Sequence, residues 1–472
     1  MMERLPPPKR FAEPCRFEPS MSPLLILLLA VILVFVLIIR WKINAFAALM
    51  IAAIGIGVLS PEVPLDEVMG RVGTRFGGVV GRIGVAIAMA AIIGQCLMES
   101  GAADRITRRF ISWFGEKYSS LSMLASGYVL SVPVFHDTVF YLLIPLARSM
   151  TMRQGGQRYI LNTLAIGAGG AATHVFVPPT PGPLAMAAEM NVDLGLTILV
   201  GLMVALPAAM ASWAYAWWID RKLQIPIREA PGLSLEELEV IANRPEDDLP
   251  GFWKSLFPIF LPVAMITGNT LTNTFAEGSE AAEVMKFVGN PTLALMCAAA
   301  AALWVLASEK GLSLRDLAKP TESAIKDAGL IILITAGGGA FGGMLVEAGV
   351  GRVLGEFAKS AGVSYLVLGF GVAMMLRIAQ GSATVAMITV SSILAPLMLT
   401  APPEYNPVYI LMAIGAGSIT GGWMNDSGFW VYRTMTGLTE VEALKTKTLS
   451  LAVMGVVGFL TACLGSWLFP LV

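Results

Sequence analysis

AIGAGGAATHVFVPPTPGP, from Ala165 to Pro183, is an apolar helix-forming run that ends in four prolines within six residues. The five residues AIGAG return at Ala413 to Gly417, where they lead into SITGGWMNDSGFW, Ser418 to Trp430. The separation is 413 − 165 = 248 residues, and the same offset relates Leu97-Met-Glu99-Ser-Gly101 to Leu345-Val-Glu347-Ala-Gly349 (345 − 97 = 248). Two matches at one offset predict an internal duplication. Duplicated halves whose hydrophobic segments break at matching places point to a transporter's binding site.

Composition sets the solvent. Of 472 residues, 56% are hydrophobic and 14% charged, with a mean hydropathy of +0.72, whereas a soluble domain carries about 25% charge. The reading is an all-α polytopic membrane protein whose main partner is the lipid bilayer. A net charge of −1 and four scattered cysteines suggest neither a nucleic-acid partner, a disulfide framework nor a metal site.

Apolar runs of about 17 to 25 residues can span a bilayer. They fall near 22–39, 43–60, 83–99, 158–188 and 194–218, and again near 252–268, 290–308, 328–348, 405–432 and 448–470. Two further stretches read as re-entrant hairpins. Ser119 to Met150 has Pro133, His136 and Asp137 at its middle, and Ala361 to Thr400 has Arg377 and Gln380-Gly-Ser-Ala-Thr384 at its turn. One helix over the first stretch would be about 48 Å long, whereas two arms of about 20 Å are each too short to cross.

With the N-terminus outside, sixteen Lys and Arg fall in short inside loops, Arg148 and Lys447 among them. Only six fall in short outside loops (Arg71, Arg75, Arg82, Lys286, Arg352, Lys359), or ten with the tail's Arg4, Lys9, Arg10 and Arg16. The positive-inside rule therefore predicts a multi-pass protein of the cell (inner) membrane with both termini outside. The expected parts are a tail or over-called start at 1–20, a first repeat at 21–219, a cytoplasmic linker at 220–251 with a capping box at Ser234 and Glu237, and a second repeat at 252–472. Each repeat has five spans, one hairpin and one broken helix. Five is odd, so the repeats have inverted topology.

Chemistry concentrates at the interruptions. The prolines after His174 cannot continue a helix, and unpaired backbone at membrane depth survives only against protein or a water-filled cavity. The plainer alternative is that they end a span. At the second break Asn425, Asp426 and Ser427 are N-cap residues, and a half-helix starting there presents N–H groups and a dipole to an anion. Asp426 could cap, coordinate, or do both with different oxygens. The only histidines, His136 and His174, sit at the first tip and first break; each is either a hydrogen-bonded core residue or a proton or substrate contact. Asp137 is an intramembrane carboxylate and hence a functional candidate. Gln380, Gly381, Ser382 and Thr384 suit a polyhydroxylated ligand or a cation shell. Arg377 either neutralises a carboxylate or pairs with a helix end. Glu99 and Glu347 read as structural.

Five ordered motifs resemble the gluconate permease family within the ion-transporter superfamily, across nearly all of Met21 to Val472. They are Val132–Leu146, His174–Pro183, Gly338–Gly351, Leu376–Thr389 and Asn425–Trp430. The resemblance implies an inverted-repeat fold with a scaffold and a mobile unit, and uptake of gluconate or related hydroxy acids, generally with protons. Two departures stand out: Thr180 occupies the histidine place of the family's PPHPGP, and His136 replaces the second Phe of its FF. The expected function is a proton symporter for a small hydroxylated carboxylate. Substrate contacts would come from His174, Thr180, Gln380, Gly381, Ser382, Thr384, Asn425 and Ser427, and proton coupling from His136, Asp137 and Asp426, with no metal or other cofactor. Sodium is the alternative coupling ion. An intramembrane hydrolase built on Asp137 and Asp426 is the alternative from another class, disfavoured because no GxGD or HExxH motif is present. The oligomeric state, homo-oligomer included, stays open.

Overall fold

The computed structural model describes residues 22–133, 136–228, 248–276, 278–313, 315–350, 364–424 and 426–471. The tail at 1–20, Ser234 and Glu237 of the linker, Asn425, Arg352 and Lys359 fall outside these residues, as do the side chains of Asp137, Gln380 and Ser427.

The first half comprises α1 (Pro23–Phe35, continued by a π turn to Arg40), α2 (Ala45–Leu59), α3 (Val68–Glu99), α4 (Ala102–Phe114), α5 (Ser119–Leu130), α6 (His136–Arg153), α7 (Tyr159–Phe176), α8 (Pro181–Glu189) and α9 (Leu194–Leu223). The second comprises α10 (Phe252–Phe275), α11 (Glu280–Val288), α12 (Pro291–Lys310), α13 (Ala318–Glu347), α14 (Tyr365–Gln380), α15 (Ala383–Thr400), α16 (Val408–Ile419), α17 (Ser427–Thr436) and α18 (Glu440–Leu468, with a π turn at Leu444–Thr448). Adding 248 to the bounds of α2, α3 and α5 to α9 lands within five residues of α12, α13 and α14 to α18. Packing partners correspond too. α5 lies on α7 as α14 lies on α16, α7 on α9 as α16 on α18, and α2 on α13 as α12 on α3.

Among the described residues, seven helical segments, with α7 and α8 counted together as one, are long and apolar enough to cross a membrane. The described residues are all-helical, and the protein is multi-pass, as its hydropathy implies. Where the sequence predicts a span at 83–99, α3 runs over 32 residues from Val68. Arg71, Arg75 and Arg82 are therefore helical rather than in a loop. Arg71 and Arg75 reach Glu347 at the end of α13, each at 2.8 Å. Small residues let these two helices approach: a Cβ at Gly343 would lie 2.6 Å from the Arg75 side chain, and Gly339 faces Val79. Glu99, at the end of α3, accepts from Gln95 at 2.7 Å.

Candidate functional site

The last glycine of each AIGAG copy, Gly169 and Gly417, brings its broken helix against a hairpin arm. Gly127 of α5 and Gly169 of α7 face each other's backbones. A Cβ on Gly127 would stand 2.5 Å from the Ile166 carbonyl, and one on Gly169 would collide with the Leu124 carbonyl. One residue on, a Cβ at Gly170 would lie 2.7 Å from Ser131 Oγ and 2.8 Å from His136 Nδ1. The first hairpin thus closes its turn, and His136 at the start of α6, onto α7. Gly417 repeats this contact against the Phe370 backbone of α14. Only glycine permits such approach.

α7 carries the half-buried His174 in its last turn and ends at Phe176; Val177 is extended, Pro178–Pro179 is a cis bond, and α8 begins at Pro181. Thr180 stands at the N-cap of α8 without bonding its first turn. Its hydroxyl donates instead to the Val177 carbonyl at 2.6 Å, and the residue is 2% exposed. Proline, with φ already set and no N–H to satisfy, makes a side-chain cap dispensable there.

The second break is held by charge. α14 ends at Gln380, and Gly381 turns the chain with φ +89°, a conformation other residues rarely adopt. Ser382 caps α15, its Oγ accepting from Val385 N at 3.3 Å; Thr384 follows, half-buried in the first turn. Beyond α16, Asp426 caps α17: Oδ1 accepts from Gly428 N at 3.1 Å, and Oδ2 accepts from Arg377 Nη2 at 2.7 Å. Arg377 also donates to the Gly381 carbonyl. Trp423 Nε1, from within the break, donates to the Ile378 carbonyl at 2.8 Å. Both oxygens of Asp426 are therefore engaged by protein groups. Arg377, 3% exposed, ties the second hairpin's tip to the second half-helix.

The hairpins are also crossed between halves. Phe140 of α6 packs against Tyr432 of α17, the tilted rings having centroids 5.6 Å apart, and Met387 of α15 fills the space beside Gly182 of α8. Each half-helix so rests on the second arm of the other half's hairpin. The structure gathers Ser382, Asp426 and Arg377 at one break, and His174 and Thr180 at the other, with His136 at the first hairpin's turn.

Two cations assigned to loops by the charge pattern are buried in helices instead. Arg148 of α6 is fully buried, donating to the Met435 carbonyl at 3.0 Å and the Arg228 carbonyl at 2.5 Å, while Tyr159 Oη donates to the Thr436 carbonyl at 2.7 Å. These donors satisfy the last carbonyls of α17, where the helix dipole favours positive charge. Lys447, in the π turn of α18, is 7% exposed and lines a small void with His136, Gly167 and Tyr432. Its partners come from segments far apart in the chain, which no local pattern reports. Beside α17, Arg228 pairs with Glu442 through two bonds of 2.7 and 2.9 Å; hydrogen bonding to that carboxylate raises the guanidinium pKa above its ordinary value.

The family model for the GntP family permease matches residues 22–468. The chain belongs to the GntP permease family. A gluconate permease of Pseudomonas aeruginosa is 35% identical over 435 residues, covering 91% of this chain and 94% of that protein. A gluconate permease of Zymomonas mobilis is 33% identical over 436 residues, covering 92% and 95%. Among solved structures, the Alcanivorax borkumensis YdaH transporter superposes with a TM-score of 0.62 at 13% identity, covering 93% of this chain and 99% of that one. At that identity the likeness speaks to the fold alone. This GntP permease is a multi-pass membrane transporter and not an enzyme, so the hydrolase reading is set aside.

Proposed function

We propose that this permease imports gluconate or a related small hydroxylated carboxylate as a proton symporter. The observation that carries the reading is the buried Arg377–Asp426 pair at the start of α17, beside the second hairpin's tip. A guanidinium there matches a carboxylate in shape and charge, and relatives named gluconate permeases supply the substrate class. In this reading a proton on Asp426 dissolves the ion pair and frees Arg377 for the substrate carboxylate. Loss of the proton restores the pair and expels the substrate. The N–H groups opening α8 and α17 add to the anion's binding, and Gln380, Ser382 and Thr384 meet its hydroxyls. His136, His174, Asp137, Asn425 and Ser427 complete the proposed site. The domain division at 220–251, the inverted topology of the halves and the outside termini belong to the same proposal, since opposed repeats let one central site open to either face.

The test is gluconate uptake into proteoliposomes under an imposed pH gradient. Accumulation should follow the gradient, persist when sodium is replaced by potassium, and be lost in Asp426→Asn. Gradient-driven uptake surviving in that variant would remove Asp426 from the coupling step, and dependence on sodium would replace the proton.

A further inference from the structure

A cavity of about 670 Å3 lies at the joint C-terminal end of α9 and N-terminal ends of α5 and α7, and its lining shares no residue with either break. Lys117, Arg158 and Arg221 line it, against one acid, Asp220. That acid is already engaged, Oδ1 accepting from Leu161 N at 3.2 Å. Three cations against one carboxylate still leave the cavity's lining with an excess of positive charge. Its wall on α9 is Trp213 and Trp217. Trp213 Nε1 donates to Ser120 Oγ at 3.2 Å, and the Arg221 guanidinium lies 3.6 Å from the Trp217 ring centroid. Arg158 spends one donor on the Lys117 carbonyl at 2.7 Å, which draws the α6–α7 turn to the start of α5.

Depth in the bilayer follows from the same residues. Trp213, Trp217 and Trp218 followed by Arg221 and Lys222 form an aromatic belt capped by cations, the signature of headgroup level on a spanning helix. The cavity is thus cationic where phosphate esters are concentrated and aromatic where acyl chains begin. We propose that it binds the phosphate of an anionic glycerophospholipid, with Lys117, Arg158 and Arg221 around the phosphate and the two indoles along the glycerol and upper chains. Basic pockets between spanning helices take anionic headgroups in this way. The lipid would pin α5 and α7, the hairpin and broken-helix pair of the first half, to α9.

The experiment is native mass spectrometry of the full chain released from detergent, after equilibration with equal phosphatidylglycerol and phosphatidylcholine of matched acyl chains. The wild type should retain phosphatidylglycerol preferentially. Combined Lys117→Ala, Arg158→Ala and Arg221→Ala should cut that preference about tenfold or more, whereas Lys310→Ala, Arg315→Ala and Lys319→Ala, on exposed cations elsewhere, should leave it intact. Should the first variant fail to fold, Arg221→Ala alone should still lower the preference, and the charge-keeping Lys117→Arg, Arg158→Lys and Arg221→Lys should preserve it. Equal retention of the two lipids by wild type, or an equal loss in the control variant, overturns the proposal. Displacement of the lipid by millimolar inorganic phosphate would also overturn it, by making the cavity a free-anion site.

Discussion

The two broken helices solve one problem by different means. At the first, α7 stops and α8 restarts through Val177 to Thr180, held by proline geometry, a Thr180 to Val177 hydroxyl bond and glycine contacts. At the second, α17 is bracketed by charge, with Asp426 and Arg377 at its start and Arg148 and Tyr159 at its end. Proline rigidity does not respond to a proton or an anion. An ion pair does. The halves share a helix plan, but the charges available for chemistry gather at the second break.

The largest effect should come from splitting the pair. Removing one partner strands a buried charge, which costs about 3–5 kcal/mol. Arg377→Met should therefore lower the thermal midpoint in detergent steeply and abolish uptake. In the double variant Arg377→Met/Asp426→Leu neither member of the pair is left facing an apolar partner, so stability should largely return while uptake stays absent. If the double variant is as unstable as the single, the pair is a structural clamp whose geometry apolar side chains cannot replace.

How much of this could be read from the sequence depends on how local the cause was. The hairpin turns, both breaks and the Asp426 cap were legible because prolines, glycines and N-cap residues act within a few positions. The doubled AIGAG marks both broken helices, but that Gly169 and Gly417 each press on the backbone of a hairpin arm is visible only in three dimensions. The polar half of α3 was not legible. Its arginines depress hydropathy, and the acid that engages them, Glu347, lies 276 and 272 residues from Arg71 and Arg75. Arg148 and Lys447 were hidden for the same reason: a charge count assigns a cation to water unless a distant carbonyl or ring is known to receive it.

Within AIGAG itself the halves diverge, and this supports a smaller prediction. Gly167 has open space beside it. At its counterpart Gly415 (167 + 248), a Cβ would lie 2.5 Å from the Val175 carbonyl and 3.2 Å from the Phe176 ring, where α16 meets α7. Gly415→Ala should cost about 1–3 kcal/mol, the usual price of overpacking, and Gly167→Ala close to nothing. Thermal melts of the two variants decide it. Equal losses would mean that the void beside Gly167 and Lys447 tolerates no methyl.

The smallest effect is expected at Thr180, where an uncharged break has least to lose. Thr180→Val keeps the side chain's shape and removes only the 2.6 Å bond to Val177, worth about 0.5–1.5 kcal/mol. Pro181 still sets the first helical φ of α8, so the half-helix should form as before. If the substrate meets the N–H groups of α8 rather than this hydroxyl, KM for gluconate should rise by less than about tenfold, the equivalent of 1.4 kcal/mol. A larger rise with unchanged stability would show that Thr180 leaves Val177 and turns to the substrate during transport. The first break would then contribute a specific contact, and the contrast between the halves would narrow to charge alone.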